Sequence, residues 1–157
     1  MKNKILRILI FKHFTPVVPD TSTYTYRRDD VYVTISYNDQ FFMLFSATKN
    51  GLIQGETYFS DEGEFDLKLS EALLNYEIRK IKGWLCRNHF HLNDTFNESV
   101  VFCRKSDNLY IIVTFDKRTY CVFYFNENTS KHEPCEQNKS YKNYYEFMQQ
   151  IKEGGYI

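Results

Sequence analysis

Three apolar segments in the second half of the chain constrain its fold more than any other feature. They are Ser99–Lys105 (SVVFCRK), Leu109–Phe115 (LYIIVTF) and Thr119–Phe125 (TYCVFYF). Ser106-Asp107-Asn108 and Asp116-Lys117-Arg118 separate them, and short polar tripeptides between apolar runs predict tight turns. Because the segments are rich in β-branched and aromatic residues, the pattern predicts a three-stranded antiparallel meander. A turn at Ser106-Asp107 would pair Cys103 with Tyr110, and a turn near Lys117 would pair Cys121 with Thr114.

Both faces of this meander are apolar. In an antiparallel sheet with one solvated face, apolar and polar residues alternate along each strand, and here they do not. One face would carry Val101, Cys103, Tyr110, Ile112, Cys121, Phe123 and Phe125. The other would carry Val100, Phe102, Ile111, Val113, Phe115, Val122 and Tyr124. Helices can cover one face, so the second face requires further strands, the N-terminal segment or a partner chain.

A similar meander is predicted in the first half. Val31–Tyr37 and Phe41–Ala47 flank Asn38-Asp39-Gln40, which predicts a hairpin. Asn50-Gly51 is the strongest turn dipeptide in the chain and predicts that Leu52–Phe59 folds back as the next strand.

The N-terminal run Lys4–Lys12 predicts a buried strand. Arg7 interrupts its apolar residues, so it lacks the roughly 7–15 uninterrupted apolar residues of a secretory signal. The expected location is therefore the cytoplasm, with no membrane segment and with free thiols at all four cysteines.

Two main helices are predicted, one after each meander. Ser70 is the expected N-cap of the first and Ser140 of the second, because serine favours that position. The turn Asp61-Glu62-Gly63 and a short strand would precede the first helix, and a polar loop, residues 126–139, would precede the second. Apolar residues recur at helical spacing after each cap. They are Leu74, Ile78, Ile81 and Leu85 in the first helix, and Tyr141, Tyr144, Met148 and Ile151 in the second.

These elements predict an α+β fold with antiparallel sheet and two main helices. The length of 157 residues fits one globular domain, residues 1–157. The order of elements also repeats, as three strands, a connection and a helix. Two interpretations stay open: a βββ-α pseudo-repeat with structural halves at 31–88 and 99–153, or a coincidence, since hairpins and caps recur in any α+β chain.

Cysteine and histidine cluster at two places. The stretch WLCRNHFHL, Trp84–Leu92, contains Cys86 and His89, and HEPC contains His132 and Cys135. Zinc binds four nitrogen or sulfur ligands, commonly as two close pairs, so these four residues form a candidate zinc site. The competing interpretation is a buried thiol at a helix end with histidines in loops, since free cysteine commonly serves as a small core residue. No other cofactor is predicted.

The charge balance argues against nucleic-acid binding. With 20 basic and 20 acidic residues the chain lacks the basic excess of nucleic-acid-binding proteins. Tyr24, Tyr26, Arg27 and Arg28 combine aromatic rings with cations and form a candidate partner-binding segment, although Asp29 and Asp30 follow directly.

The leading hypothesis is a non-catalytic protein-binding module of the inhibitor, immunity or adaptor type, which occludes a macromolecular partner. Its 13 tyrosines and 14 phenylalanines suit either an aromatic core or an interface. The partner would be another protein or a second copy of the chain. The alternative is a small enzyme or zinc-binding protein that uses the cysteine and histidine residues.

Overall fold

Two five-stranded antiparallel sheets and three helices make up the described part of the chain. The computed structural model describes residues 1–17, 23–38, 40–47 and 53–157. They form two compact units, Met1–Tyr76 and Glu77–Ile157. Each unit contains one sheet, and the strands of each sheet follow one another in sequence order as a meander. The predicted α+β class with antiparallel sheets is confirmed. The single-domain assignment and the halves 31–88 and 99–153 stay predictions.

The first unit begins with a helix and continues into the first sheet. Helix α1 spans Lys2–Phe11. The strands of the first sheet are β1 (Thr15–Pro16), β2 (Thr23–Arg28), β3 (Val31–Ser36), β4 (Phe42–Ala47) and β5 (Ile53–Tyr58). β3 pairs antiparallel with β4, and β4 with β5, as predicted. The turn expected at Asn50-Gly51 and the middle residue of the turn expected at Asn38-Asp39-Gln40 lie outside the described residues.

The predicted strand at Lys4–Lys12 is wrong, because these residues belong mainly to helix α1. Ile5 and Leu9 are both fully buried, and a spacing of four residues places them on one face of a helix. Phe11, two residues after Leu9, is 84% exposed, whereas a strand would point both side chains to the same face. A short apolar run is ambiguous between helix and strand, and packing of this face against the first sheet decides for helix.

Helix α2 spans Glu62–Arg87, so the predicted turn, short strand and N-cap at Ser70 are wrong. The helix starts at the acidic run itself. Oδ1 of Asp61 accepts a hydrogen bond from the backbone N–H of Glu64 at 2.8 Å, and Oε2 of Glu64 accepts one from the backbone N–H of Ser60 at 2.7 Å. These reciprocal bonds satisfy backbone donors that a helix start leaves without partners. Ser70 lies inside the helix and accepts a hydrogen bond from Nζ of Lys12.

The second unit, all of whose residues are described, contains the second sheet and a short last helix. Its strands are β6 (His91–Phe96), β7 (Ser99–Arg104), β8 (Leu109–Thr114), β9 (Thr119–Asn126) and β10 (Lys131–Ser140). Helix α3 spans Tyr144–Glu153. β7, β8 and β9 lie where the three apolar segments predicted them. The predicted pairing of Cys103 with Tyr110 is confirmed. Cys121 pairs with Ile112 rather than Thr114, because the turn after β8 is centred on Asp116 and Lys117, one residue earlier than predicted.

Two other expectations for this unit are wrong. Most of the polar segment predicted as a loop is strand β10, which pairs with β9 and carries two register shifts. The N-cap of α3 is Asn143, whose side chain accepts a hydrogen bond from the backbone N–H of Glu146 at 3.0 Å. Ser140 instead ends β10. Strand β10 is held by backbone hydrogen bonds to β9, and nearly all of its side chains are exposed. Its sequence therefore lacks the apolar pattern that would predict a strand.

The described helices all end in the same way. In each, a residue with positive φ follows the helix, and the aromatic residue after it donates its N–H to the carbonyl five residues earlier, as in a Schellman motif. The aromatic residues Phe14, Phe90 and Tyr156 bond to Leu9, Leu85 and Ile151, respectively, and pack into the cores of their units. Nine residues before each aromatic lie Ile5, Ile81 and Phe147, all fully buried. The same helix end thus occurs once in the first unit and twice in the second.

Candidate functional site

The stretch WLCRNHFHL forms the end of helix α2 and the start of β6. Cys86 lies in the last turn of the helix and is exposed. His89 has a φ of 67° and occupies the left-handed position of the helix end. The N–H of His89 bonds to the carbonyl of Cys86 at 3.1 Å, and the N–H of Phe90 bonds to that of Leu85 at 3.0 Å. The backbone position of His89 is thus set by the need to terminate the helix.

Replacing His89 with glycine is expected to raise the free energy of unfolding by about 1 kcal/mol. A left-handed conformation costs a non-glycine residue roughly 1–2 kcal/mol, and glycine adopts it without that penalty. Urea denaturation, followed by the fluorescence of Trp84, measures the change. His91→Gly is the matched control, because His91 lies in strand β6 and should be destabilised by glycine. A loss of stability in His89→Gly would show that its imidazole makes a contact that matters more than its backbone.

His132 lies on β10, the edge strand at the opposite side of the second sheet from β6. Its imidazole is in edge or tilted contact with the rings of Tyr110, Phe123 and Phe125, at centroid distances of 5.2, 5.4 and 5.1 Å. His132 was a candidate zinc ligand, but in the structure it completes an aromatic cluster.

Cys135 lies on the same strand, where desolvation raises the pKa of its thiol. A raised pKa lowers the thiolate fraction, which is the reverse of what a nucleophilic cysteine or a zinc ligand needs. On the neighbouring strand β9, Cys121 donates a hydrogen bond from Sγ to the carbonyl of Glu136 at 3.1 Å.

The structure does not bring the two candidate zinc pairs together. Cys86 and His89 precede β6 at one edge of the second sheet, while His132 and Cys135 lie on β10 at the other. Among the described residues, no group of three or more His, Cys, Asp or Glu side chains could hold a metal ion. Zinc binding by these four residues stays a prediction without a formed site.

The candidate segment Tyr24–Arg28 does not form one surface. Tyr26 is 8% exposed and belongs to the core of the first unit. Tyr24 packs edge-on against Tyr37 at 5.4 Å. The guanidinium of Arg28 lies over the ring of Phe14 and donates to the carbonyl of Lys12. Arg27 is exposed, and its Nε donates to the carbonyl of Asp29. Since strand residues alternate between faces, these four side chains cannot all meet one partner surface.

The outer face of the second sheet is the most distinctive surface of the fully described second unit. On β8, the buried residues Leu109, Ile111 and Val113 alternate with half-exposed residues, and the latter define the outer face. The outer face consists of Ser99, Val101, Cys103, Tyr110, Ile112, Thr114, Thr119, Cys121, Phe123 and Phe125 on the three central strands. Val101 and Cys103 on β7 are themselves buried, at 7% and 5% exposure, and the other eight residues are half-exposed. The inner face packs against helices, as shown by ring contacts of Phe147 in α3 with Tyr120 in β9 and Trp84 in α2.

An aromatic ridge stands at one end of the outer face. We define it as Tyr110, Phe123, Phe125 and His132. The rings of Tyr110 and Phe123 stack at 5.9 Å with an angle of 8°, and the imidazole of His132 adjoins all three rings. Tyr110, Phe123 and Phe125 remain half-exposed and His132 is exposed. Mutual contact fixes these rings in place, so they form a preorganised apolar surface.

The first sheet provides an internal comparison. Its buried residues also alternate with half-exposed ones, and the half-exposed ones define its outer face. On the central strands β3 and β4 this face carries Tyr32, Thr34, Ser36, Phe42, Leu44 and Ser46. Four of these six side chains have a hydroxyl group. The equivalent face of the second sheet has aliphatic, thiol and aromatic groups at its centre.

The sequence predicted which residues of the central strands share the outer face, but it did not predict that His132 lies beside them. The alternation of Val101, Cys103, Tyr110, Ile112, Cys121, Phe123 and Phe125 was readable because all lie in the three apolar segments. His132 lies in a polar segment, and pairing of β10 with β9 brings it opposite Phe125. His132 stands between Lys131 and Glu133 and is followed by Pro134, and such a segment does not predict a strand.

In comparisons with known proteins, no family model, curated protein or solved structure matches the chain. None of the helices in the described ranges is long and apolar enough to cross a membrane.

Proposed function

We propose that the protein is a non-catalytic protein-binding module of the inhibitor, immunity or adaptor type, which occludes a surface of a macromolecular partner. The observation that carries the proposal is the apolar outer face of the second sheet, with its aromatic ridge. The free thiols of the cysteines support a location in the reducing cytoplasm.

The architecture does not require this face to be apolar. The first unit has the same order of five antiparallel strands, and its central strands carry mainly hydroxyl-bearing residues on the outer face. An antiparallel sheet packed on one side folds with its other side solvated. The apolar side chains on the second sheet are therefore better explained by contact with another protein than by the needs of folding.

The composition of the face suits a protein interface. Tyr, Phe and other aromatic residues are enriched at interface centres, and charged residues are depleted there. On the three central strands of the second unit, where every residue is described, no outer-face residue is charged. This favours an apolar protein surface over a nucleic acid, which needs cations.

The edges of the second sheet favour binding at the face rather than at a strand edge. Strand β10 has two register shifts and includes Pro134, Lys131 and Glu133. β6 also has a register shift, between Leu92 and Asp94. Bulges, proline and charged residues at edges oppose the addition of another strand.

Substituting Phe123 with lysine is expected to abolish partner binding. A lysine in the centre of the ridge places a charge in the interface, and loss of a central residue weakens binding at least about 30-fold. Tagged wild-type protein, Phe123→Lys and the control Thr34→Lys are each incubated with a lysate of cells that express the chain. The proteins that stay bound to each are then identified. Proteins identified with wild type are then purified, and their affinities are measured by calorimetry.

Thr34 is the matched control because it is half-exposed on the outer face of the first sheet. We expect it to retain the same partner with unchanged affinity. Equal affinity of wild type and Phe123→Lys for that partner would contradict the proposal, as would equal loss in Thr34→Lys.

A further inference from the structure

We propose that a cavity on the outer face of the first sheet binds a sugar, either as a single ring or as one unit of a glycan. The cavity has a volume of about 510 Å³ and is lined by Ser36, Asn38, Gln40, Phe42, Glu56 and Tyr58. This volume lies within the range of roughly 300–1,000 Å³ that small-molecule sites occupy. The cavity belongs to the first unit, so the inference does not rest on the function proposed for the second sheet.

Two aromatic rings supply the apolar part of the lining. Phe42 on β4 lies directly opposite Tyr58 on β5, and Ser36 lies opposite Phe42 on β3, so the three form one row across the sheet. The ring centroids of Phe42 and Tyr58 are 5.3 Å apart. Phe42 is half-exposed and Tyr58 is 58% exposed. Both rings therefore remain available for contact with a ligand.

The polar part of the lining comes from three neighbouring segments. Ser36 ends β3, Asn38 and Gln40 lie between β3 and β4, and Glu56 lies on β5 two residues before Tyr58, on the same face. Asn38, Gln40 and Glu56 are exposed. Hydroxyl and carboxamide groups both donate and accept hydrogen bonds, whereas a carboxylate only accepts them. Sugar hydroxyls also donate and accept, so they can pair with every polar group of this lining.

The charge of the lining favours a neutral ligand over an ion. Among the described residues that line the cavity, Glu56 is the charged one, and its carboxylate repels phosphates and other anions. A carboxylate beside aromatic rings also suits an ammonium group. An ammonium group only donates hydrogen bonds, however, so it would leave the donor hydrogens of Asn38 and Gln40 unused.

The angle between the two rings favours a sugar over a planar base. The rings of Phe42 and Tyr58 are inclined at 55° to each other, so one planar ring cannot lie flat against both. A saturated sugar ring carries C–H groups that point in several directions and can contact both rings. The face of an aromatic ring is negative and attracts the slightly positive hydrogens of these groups.

Titration of the isotope-labelled full chain with glucose, galactose, mannose and N-acetylglucosamine, followed by amide NMR spectra, tests the proposal. Each sugar is added up to about 50 mM, because a cavity that is open to solvent and contacts one ring should bind with a Kd of about 1 mM. At least one of the four is expected to shift the amide resonances of the residues that line the cavity. Adenosine and choline are the contrasting probes, since they supply a planar base and a cation.

Two substitutions in the cavity are expected to weaken sugar binding. Tyr58→Ala removes one of the two rings and should raise the Kd at least about 10-fold, and Gln40→Ala should raise it about 5-fold. Tyr58 is exposed on the edge strand β5 and Gln40 lies outside the strands, so both variants should fold. Tyr32→Ala is the matched control, because Tyr32 is on the same face of β3 as Ser36 but four residues away, or roughly 13 Å. Its Kd should equal that of the wild type.

The spectra of the wild type keep the test decisive if a variant does not fold, which far-UV circular dichroism shows. The proposal is overturned if none of the four sugars shifts the resonances of the cavity, or if adenosine or choline binds there more tightly than every sugar. It is equally overturned by an unchanged Kd in folded Tyr58→Ala, or by an equal loss in Tyr32→Ala. These outcomes leave partner binding by the second sheet untouched, since Phe123→Lys tests that function separately.

Discussion

Replacing Phe90 with alanine is expected to lower the free energy of unfolding by about 3–5 kcal/mol. Phe90 is fully buried, follows the left-handed residue at the end of helix α2, and carries the guanidinium of Arg104 over its ring at 4.8 Å. Alanine would remove the apolar contacts and leave a cavity that the helix end is held too rigidly to close. Urea denaturation followed by Trp84, which is 8% exposed in the same unit, measures the loss.

Phe96→Ala is the matched control, because Phe96 lies on β6 and is 47% exposed. Its effect should stay below about 1 kcal/mol, since partly exposed side chains lose little burial on truncation. Similar losses in the two variants would show that Phe90 does not anchor the helix end as described.

Replacing Leu9 with alanine is expected to destabilise the first unit by about 2–5 kcal/mol. Leu9 is fully buried in the core formed by α1, the first sheet and the first part of α2. The control is Phe11→Ala, which should change stability by less than about 0.5 kcal/mol because Phe11 is 84% exposed. Thermal and urea unfolding by far-UV circular dichroism measure both variants.

This pair of variants also tests the helix. In a strand Leu9 and Phe11 would share a face and contribute together, whereas in helix α1 they point in different directions. Comparable losses in Leu9→Ala and Phe11→Ala would favour a strand at residues 4–12 and contradict the structure.

The sequence predicted the centre of the second sheet well because its strands carry their own signal. β7, β8 and β9 are rich in β-branched and aromatic residues, and the turns between them are polar, so the pairing of Cys103 with Tyr110 followed directly. Cys121 was misplaced by two residues, because the turn after β8 is centred one residue earlier than predicted. The polar tripeptide Asp116-Lys117-Arg118 indicates a turn but does not specify which two of its residues form the centre.

Elements with weak local signals were missed for a related reason. β10 is exposed along nearly its whole length and is held by hydrogen bonds to β9, so its sequence resembles a loop. Helix α1 is too short for its apolar spacing to distinguish helix from strand, and only its packing on the first sheet decides. The sequence predicted which residues of the three central strands form the outer face. It did not predict the aromatic ridge, because His132 reaches the other three rings only through the pairing of β10 with β9.

The boundary between the two units falls inside one continuous helix, between Tyr76 and Glu77. Helix α2 places Phe65 and Leu69 in the first core, and Ile81 and Leu85 at the start of the second unit. Cutting the gene at the boundary would divide helix α2, and each fragment would keep the part of the helix whose apolar residues lie in its own unit. Each fragment would then carry a new helix end without the capping hydrogen bonds that the intact helix has at Asp61 and His89.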